Sequence, residues 1–138
     1  MAGSEVFVDT AFWIAAARQP DSQHERAKVL GREILERRAK VVISNMVLAE
    51  VVTFIAKKDG YATAEELMKR LEDNTTTLFV DKAIFEDAKP VLRKYWGPRK
   101  RLSVCDATSY VIMQQRHIQD LYSFDSGFDG LPGITRIA

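Results

Sequence analysis

Four acidic residues lie where the surrounding sequence is apolar or marks the boundary of a predicted element. Carboxylates brought together from such positions suit a hard divalent cation, because Mg²⁺ and Mn²⁺ prefer oxygen ligands. The chain has one cysteine and two histidines, so a thiolate cluster is not indicated. His24 and His117 lie outside the acidic segments, and we expect both to be surface residues rather than ligands. The four acids are Asp9, Glu50, Asp106 and Asp125.

Each of the three aspartates also has a structural explanation that requires no cation. Asp9 follows an apolar run and precedes a helical pattern, which is the position of a helix N-cap. Asp106 follows Ser103 at the spacing of a capping box. Asp125 begins the sequence Asp-Ser-Gly, which is typical of an Asx-turn. Taken singly, these capping and turn roles stay open.

Glu50 has no comparable explanation. It is the only charged residue between Met46 and Ala56, and most of its neighbours one helical turn away are apolar. We therefore predict a carboxylate on an apolar helix face, where burial without a partner costs on the order of several kcal/mol. A basic residue, a hydrogen-bond network or a cation would supply that partner. Glu50 is the acid that is hardest to explain without a functional site.

The hydrophobic pattern alternates short β-branched runs with longer segments of helical period. This alternation predicts right-handed βαβ crossovers and a mostly parallel sheet. Ligands of such sheets bind beyond the carboxyl ends of the strands, where Asp9 and Asp125 fall. The predicted strands are 5–8, 40–44, 77–80, 121–124 and 134–137, and the predicted helices are 10–17, 21–38, 45–57, 62–73, 81–95 and 103–116.

The composition is that of an ordinary folded protein. Its 138 residues are 46% hydrophobic and 28% charged, with a formal net charge of +1. We predict one α/β domain over residues 1–138. A single cysteine excludes an intrachain disulfide and favours a reducing, cytoplasmic location. No apolar run approaches the roughly 20 residues that span a bilayer, and the N-terminus lacks the pattern of a signal peptide.

The ordered set of motifs resembles the PIN domain, and within it the VapC-type toxin ribonucleases. The similarity runs from Val6 to Ile137 and is carried by Phe7-Val-Asp9-Thr10, Leu48-Ala-Glu50, Asp106-Ala-Thr and Leu121-Tyr-Ser-Phe-Asp125-Ser-Gly. It implies a three-layer α/β/α fold whose five-stranded parallel sheet has the order 3-2-1-4-5. It also implies a Mg²⁺- or Mn²⁺-dependent endoribonuclease whose metal is held by the four acids. A cognate antitoxin and a homodimer are further implications.

The same resemblance suggests auxiliary residues around the acids. Tyr122 departs from the family, since many relatives have a small polar residue at that place before the last aspartate, and this leaves the local substrate shape open. A separate basic segment directly before the Asp106 helix is the best candidate to hold RNA phosphates. This basic segment is Arg99, Lys100 and Arg101. The auxiliary residues that could orient carboxylates or bound water are Thr10, Ser44, Asn45 and Ser126. Asp129 is a further acid that could assist the site.

Two other functions share parts of this pattern. A haloacid-dehalogenase-like phosphotransferase uses an aspartate after its first strand as a nucleophile, but it needs a second aspartate two residues later, where this chain has Ala11. A catalytically silent PIN-like module that binds RNA or protein is the other alternative. The intact set of four acids speaks against it.

Overall fold

A single sheet of five parallel strands runs through the computed structural model, in the order β3-β2-β1-β4-β5. The model describes residues 4–98 and 102–138. The strands are β1 (Glu5–Val8), β2 (Lys40–Ser44), β3 (Thr76–Leu78), β4 (Asp120–Tyr122) and β5 (Thr135–Ile137). The helices are α1 (Thr10–Ala17), α2 (His24–Glu36), α3 (Asn45–Asp59), α4 (Tyr61–Asn74), α5 (Lys82–Tyr95) and α6 (Val104–Arg116), with a short 3-10 helix at Ser126–Phe128.

The central strand β1 is buried on both of its faces. Val6, Phe7 and Val8 are all 0% exposed. Phe7 packs into a core built with α3 to α6, whereas Val6 and Val8 pack into a second core built with α1 and α2. Both faces of a parallel sheet need such a cover. The predicted α/β/α fold and its strand order are therefore confirmed.

The topology brings several chain segments to one edge of the sheet. β1 pairs with β2 on one side and with β4 on the other, always in the parallel direction. Parallel neighbours end at the same edge, so the residues that follow these three strands lie together. Asp9 follows β1, Ser44 ends β2, and Ser123 follows β4. This edge is where the candidate site forms.

Most element boundaries differ from the prediction by one to three residues, and two of these differences have a clear consequence or cause. Helix α2 begins at His24 rather than at residue 21, because the carboxylate of Asp21 accepts a hydrogen bond from the Gln23 amide and holds a turn. Strand β4 ends at Tyr122, so Ser123 leaves the strand instead of lying within it. The second difference decides how Ser123 can be used.

The unusual Tyr122 faces away from the acids. Its ring is fully buried in the core that contains α1 and α2. The hydroxyl accepts a hydrogen bond from Arg37 at 2.9 Å and donates one to Glu33 at 3.0 Å, and Arg37 also pairs with Asp120. Tyr122 thus joins the sheet to α2 and its neighbouring turn and does not shape the site, contrary to the possibility left open by the sequence.

Among the described residues, no helix is both long and apolar enough to cross a membrane.

Candidate active site

Asp9 is the most deeply buried of the four acids. It is 3% exposed, and its amide continues the ladder between β1 and β4 by donating to the Tyr122 carbonyl at 3.0 Å. The residue occupies the N-cap position of α1, yet its side chain makes no capping hydrogen bond. Its buried Oδ1 has no hydrogen-bond partner among the described residues. A helix cap therefore does not explain Asp9.

The hydroxyl of Ser123 joins two of the acids. It donates to Oδ2 of Asp9 at 2.9 Å and accepts from the backbone amide of Asp125 at 3.0 Å. Ser123 is 0% exposed, so its bond to Asp9 is shielded from water, and its bond from the Asp125 amide is partly buried. The serine fixes the orientation of the Asp9 carboxylate and the start of the loop that carries Asp125.

Asp125 forms the predicted Asx-turn. Its Oδ1 accepts a hydrogen bond from the Gly127 amide at 2.8 Å and starts the short 3-10 helix. A side chain at Gly127 would place its Cβ 3.0 Å from that oxygen, so glycine suits the turn. The turn engages only one carboxylate oxygen and does not exclude a second role for Asp125.

Arg136 on β5 binds both ends of the loop that carries Asp125. Its guanidinium makes two hydrogen bonds to the carboxylate of Asp129, at 2.7 and 3.1 Å, and a third to the Ser123 carbonyl at 3.1 Å. The predicted auxiliary residue Asp129 is thus paired with an arginine. Together, Arg136 and Asp129 fix both ends of the loop that contains Asp125.

Asp106 lies in the first turn of α6, where the predicted capping box is confirmed. Ser103 accepts from the Asp106 amide at 3.0 Å, and Oδ2 of Asp106 accepts from the Ser103 amide at 3.1 Å. The aspartate is 7% exposed. The capping box holds Asp106 in one rotamer while using only one of its two oxygens.

Glu50 is exposed, and the prediction of a buried glutamate is wrong. The buried face of α3 is formed by Val47, Val51 and Ile55, and Glu50 lies beside that stripe. The expected partner does exist, because Thr10 donates a hydrogen bond of 2.7 Å to Oε1 of Glu50. Since Thr10 directly follows Asp9, this bond ties α3 to the start of α1.

Burial and mutual repulsion raise the pKa values of the two buried acids. Burial raises the pKa of Asp9 to about 7, and the negative charge of Asp106 adds to the effect. Burial likewise raises the pKa of Asp106 to about 6, with the charges of Asp125 and Glu50 acting in the same direction. Burial and the adjacent Glu50 carboxylate also raise the pKa of the Cys105 thiol, so this cysteine stays protonated. The charges of Asp106 and Asp125 therefore act on Asp9, and those of Asp125 and Glu50 act on Asp106.

The donor set fits a hard divalent cation in chemistry. A buried carboxylate oxygen without a hydrogen-bond partner, at Oδ1 of Asp9, is the atom that such a cation would satisfy. Positive charge would also relieve the repulsion that raises these pKa values. Within residues 4–98 and 102–138, however, no three such side chains converge closely enough to form a complete ligand cage as they stand.

The other predicted auxiliary residues have varied surroundings. Thr10 directly holds Glu50. Ser44 caps α3 by accepting from the Val47 amide at 3.1 Å, and Asn45 accepts from the Val80 amide at 2.7 Å. Neither bonds to one of the four acids, so the orienting role predicted for them is not seen. Ser126 is exposed within the 3-10 helix.

The predicted RNA-binding residues Arg99, Lys100 and Arg101 lie outside the described residues. The expectation that both histidines are surface residues holds for His117 and not for His24. His117 is exposed at the end of α6, and the partly buried His24 bonds through Nδ1 to the Ala15 carbonyl at 2.7 Å.

Sequence reasoning missed Ser123 and Arg136. Ser123 had the right signal, a polar residue at the carboxyl end of an apolar strand, but the predicted strand extended past it. Arg136 gave no local signal, because its partners Asp129 and Ser123 come from a different part of the chain.

Comparisons with known proteins identify the family of this chain. The family model described as the PIN domain matches residues 6–134. The chain is 32% identical to the 23S rRNA-specific endonuclease VapC20 of Mycobacterium tuberculosis over 124 residues. This alignment covers 89% of this chain and 91% of that protein. The range matched by the family model spans the positions of all four acids.

Solved structures show the same fold. The crystal structure of Mycobacterium tuberculosis VapC20, described as a sarcin-ricin loop cleaving toxin, matches with a TM-score of 0.78 at 28% identity and covers 93% of this chain and 95% of that one. A toxin–antitoxin complex from Klebsiella pneumoniae matches with a TM-score of 0.65 at 18% identity, covering 96% of both chains. At that identity the likeness concerns the fold alone.

Proposed function

Since this chain belongs to the PIN-domain family and is homologous to an rRNA-specific endonuclease, we propose that it is an endoribonuclease, the toxin of a toxin–antitoxin pair. Its reaction is the hydrolysis of an RNA phosphodiester bond. One observation best supports a hydrolytic centre at the sheet edge. Oδ1 of Asp9 is buried and has no hydrogen-bond partner among the described residues. The charges of Asp106 and Asp125 act on Asp9, and the charge of Glu50 acts on Asp106.

The centre uses Mg²⁺ or Mn²⁺. Asp9, Glu50, Asp106 and Asp125 would hold the metal. When bound, such a cation supplies a water of lowered pKa and stabilises charge on the departing 3′ oxygen. The products are a 3′-hydroxyl and a 5′-phosphate, whereas a cyclic phosphate would point to different chemistry.

The chain's own residues orient the acids for this role. Ser123 holds Oδ2 of Asp9 and leaves the buried Oδ1 without a partner among the described residues. The Asp106 amide and carboxylate are fixed by the capping box with Ser103. Oriented ligands of this kind lose little conformational freedom when a metal binds.

RNA is the substrate, and ribosomal RNA is the first class to test, because the relative at 32% identity is named for 23S rRNA. Four carboxylates repel phosphate, so basic residues must hold the strand. Arg99, Lys100 and Arg101 immediately precede the segment that carries Asp106 and are our candidates for this contact.

The remaining proposals concern assembly and location. An antitoxin partner is supported by the likeness of the fold to toxin–antitoxin complexes. We also propose a homodimer, a single domain over residues 1–138, and a cytoplasmic location where RNA targets are found. The alternative of a catalytically silent PIN-like module would share the fold but not the chemistry.

Sequencing of RNA ends after controlled expression tests this function. Wild-type protein should produce new 5′-phosphate ends within a few minutes of induction, and Asp9→Asn should not. The control is Asp73→Asn, which removes a carboxylate from an exposed position on α4. If wild type produces no new ends, the silent-module alternative is correct. If Asp9→Asn produces the same new ends as wild type, Asp9 is not part of the catalytic centre.

A further inference from the structure

Trp96 is an exposed aromatic residue at the end of α5. Its exposed fraction is 58%. No other aromatic ring among residues 4–98 and 102–138 packs against it. An indole of this size offers a large apolar face, and more than half of this residue is exposed.

The exposed indole is nevertheless held in place. Its Nε1 donates a hydrogen bond of 2.8 Å to the carbonyl of Leu102, and its backbone amide donates to the carbonyl of Leu92 at 2.8 Å. Both leucines belong to the buried core. A ring fixed in this way loses little side-chain entropy when a ligand stacks on it.

A short path of bonds leads from this ring to the acidic centre. Leu102 is followed directly by Ser103, whose amide donates to Oδ2 of Asp106 at 3.1 Å. The carbonyl that anchors the indole is thus one residue away from the capping box that holds Asp106. The indole is therefore anchored to the segment that begins α6, three to four residues before Asp106.

We propose that the Trp96 indole stacks with an unpaired base of the RNA substrate beside the cleaved phosphodiester bond. The inference rests on the proposed ribonuclease function. Unstacked RNA bases commonly pack on aromatic side chains, and such stacking tolerates different bases because each has a π-face. Trp96 therefore positions the strand, while the acids carry the chemistry.

Tryptophan fluorescence reports directly on this contact. The chain has two tryptophans, so Trp13→Phe leaves Trp96 as the only one. The variant is titrated, in EDTA, with a single-stranded RNA oligonucleotide and with an abasic oligonucleotide of the same length and charge. Stacking predicts quenching by the first and little response to the second. Equal responses to both would show that the indole senses only the phosphate backbone.

Trp13→Phe removes the hydrogen bond from the Trp13 Nε1 to the Val8 carbonyl. A second measurement therefore keeps both tryptophans, so that its result does not depend on how well the variant folds. In the wild-type sequence labelled with 5-fluorotryptophan, ¹⁹F NMR resolves the two indoles. The Trp96 resonance should shift with the base-bearing oligonucleotide and stay in place with the abasic one. A shift confined to Trp13 contradicts the proposal.

Affinity measurements complete the test. Trp96→Ala should weaken binding of a labelled RNA by about 5- to 150-fold, Trp96→Phe should retain most of the affinity, and Trp96→Leu should resemble the alanine variant. The control Tyr61→Ala removes a ring that is 85% exposed at the start of α4 and should bind normally. If Trp96→Ala binds RNA with normal affinity, the stacking inference is overturned, while the proposed ribonuclease function is not affected. If Trp96→Ala instead changes the sedimentation of the protein with RNA binding intact, the ring is an interface between copies. Absence of RNA binding by wild type removes the proposed function as well.

Discussion

The hydroxyl of Ser123 donates a hydrogen bond of 2.9 Å to the carboxylate of Asp9. This bond leaves the other oxygen of Asp9 buried and without a partner among the described residues. A protein tolerates such an oxygen when another group, such as a cation, satisfies it in the working state. The relationship between these two residues underlies the predictions that follow.

Loss of the serine hydroxyl should weaken metal binding. Ser123→Ala removes the bond to Asp9 and the acceptor for the Asp125 amide, so Mn²⁺ affinity measured by calorimetry should fall by about 10- to 100-fold. Ser109→Ala is the matched control, because Ser109 is equally buried and its hydroxyl has no partner among the described residues. Similar losses in the two variants would contradict the role assigned to Ser123.

The metal-free protein should lose stability as the pH rises. The pKa of Asp9 is about 7 and that of Asp106 about 6 in the folded chain, above the ordinary value of 3.8. Between about pH 4 and pH 7 the folded state therefore binds more protons than the unfolded state, so the free energy of unfolding falls through this window. Thermal melts in EDTA measure this decline.

Asp9→Asn should flatten that pH dependence, because it replaces the ionisable group. In EDTA at pH 8 the variant should be more stable than wild type by on the order of 2–4 kcal/mol, at about 1.4 kcal/mol per unit of pKa shift. A variant with the same pH dependence as wild type would show that Asp9 is not the titrating group.

Divalent metal should stabilise the fold through the shared site. Mn²⁺ relieves the repulsion among the acids, so it should raise the melting temperature of wild type, and much less so that of Asp106→Asn. Asp73→Asn removes an exposed carboxylate on α4 and should respond as wild type does. Equal shifts in wild type and Asp106→Asn would rule out a shared metal site.

Arg136 should matter more for activity than for stability. Arg136→Lys loses the two-pronged contact with Asp129 and the bond to the Ser123 carbonyl. The Asp129 side chain is 57% exposed, so the ion pair contributes at most about 1 kcal/mol to folding. We expect a roughly tenfold lower kcat with little change in Tm.

A double-mutant cycle checks this assignment. Asp129→Asn should give a similar loss of kcat. The double variant Asp129→Asn/Arg136→Lys should lose little more activity than either single variant, because both residues act through the same contact. Fully additive losses would mean that the two residues act independently.

Much of the site was predictable because parallel strands share an edge. The position of Asp9 and Asp125 beyond strands β1 and β4 follows from topology alone. The capping box of Asp106 and the Asx-turn of Asp125 are local patterns, and both occur as predicted. Short-range signals were reliable because neighbours in sequence satisfy them.

The rest depended on how the elements pack. Glu50 has apolar neighbours in sequence, but the rotation of α3 about its axis decides which of them are buried, and Glu50 is exposed. As a result, Asp9 rather than Glu50 is the acid that lacks a structural explanation. The clasp of Arg136 on Asp129 joins β5 to a loop, and no pattern within either segment predicts it.

The rate of RNA cleavage by the purified protein tests the central claim most directly. A 23S rRNA fragment is incubated with wild type and with Asp9→Asn, in Mn²⁺ and in EDTA. We predict cleavage that leaves 5′-phosphate ends for wild type in Mn²⁺, and at least about 100-fold slower cleavage both in EDTA and for Asp9→Asn. Cleavage by wild type that persists in EDTA, or that Asp9→Asn retains at the wild-type rate, would contradict a metal-dependent site at the four acids.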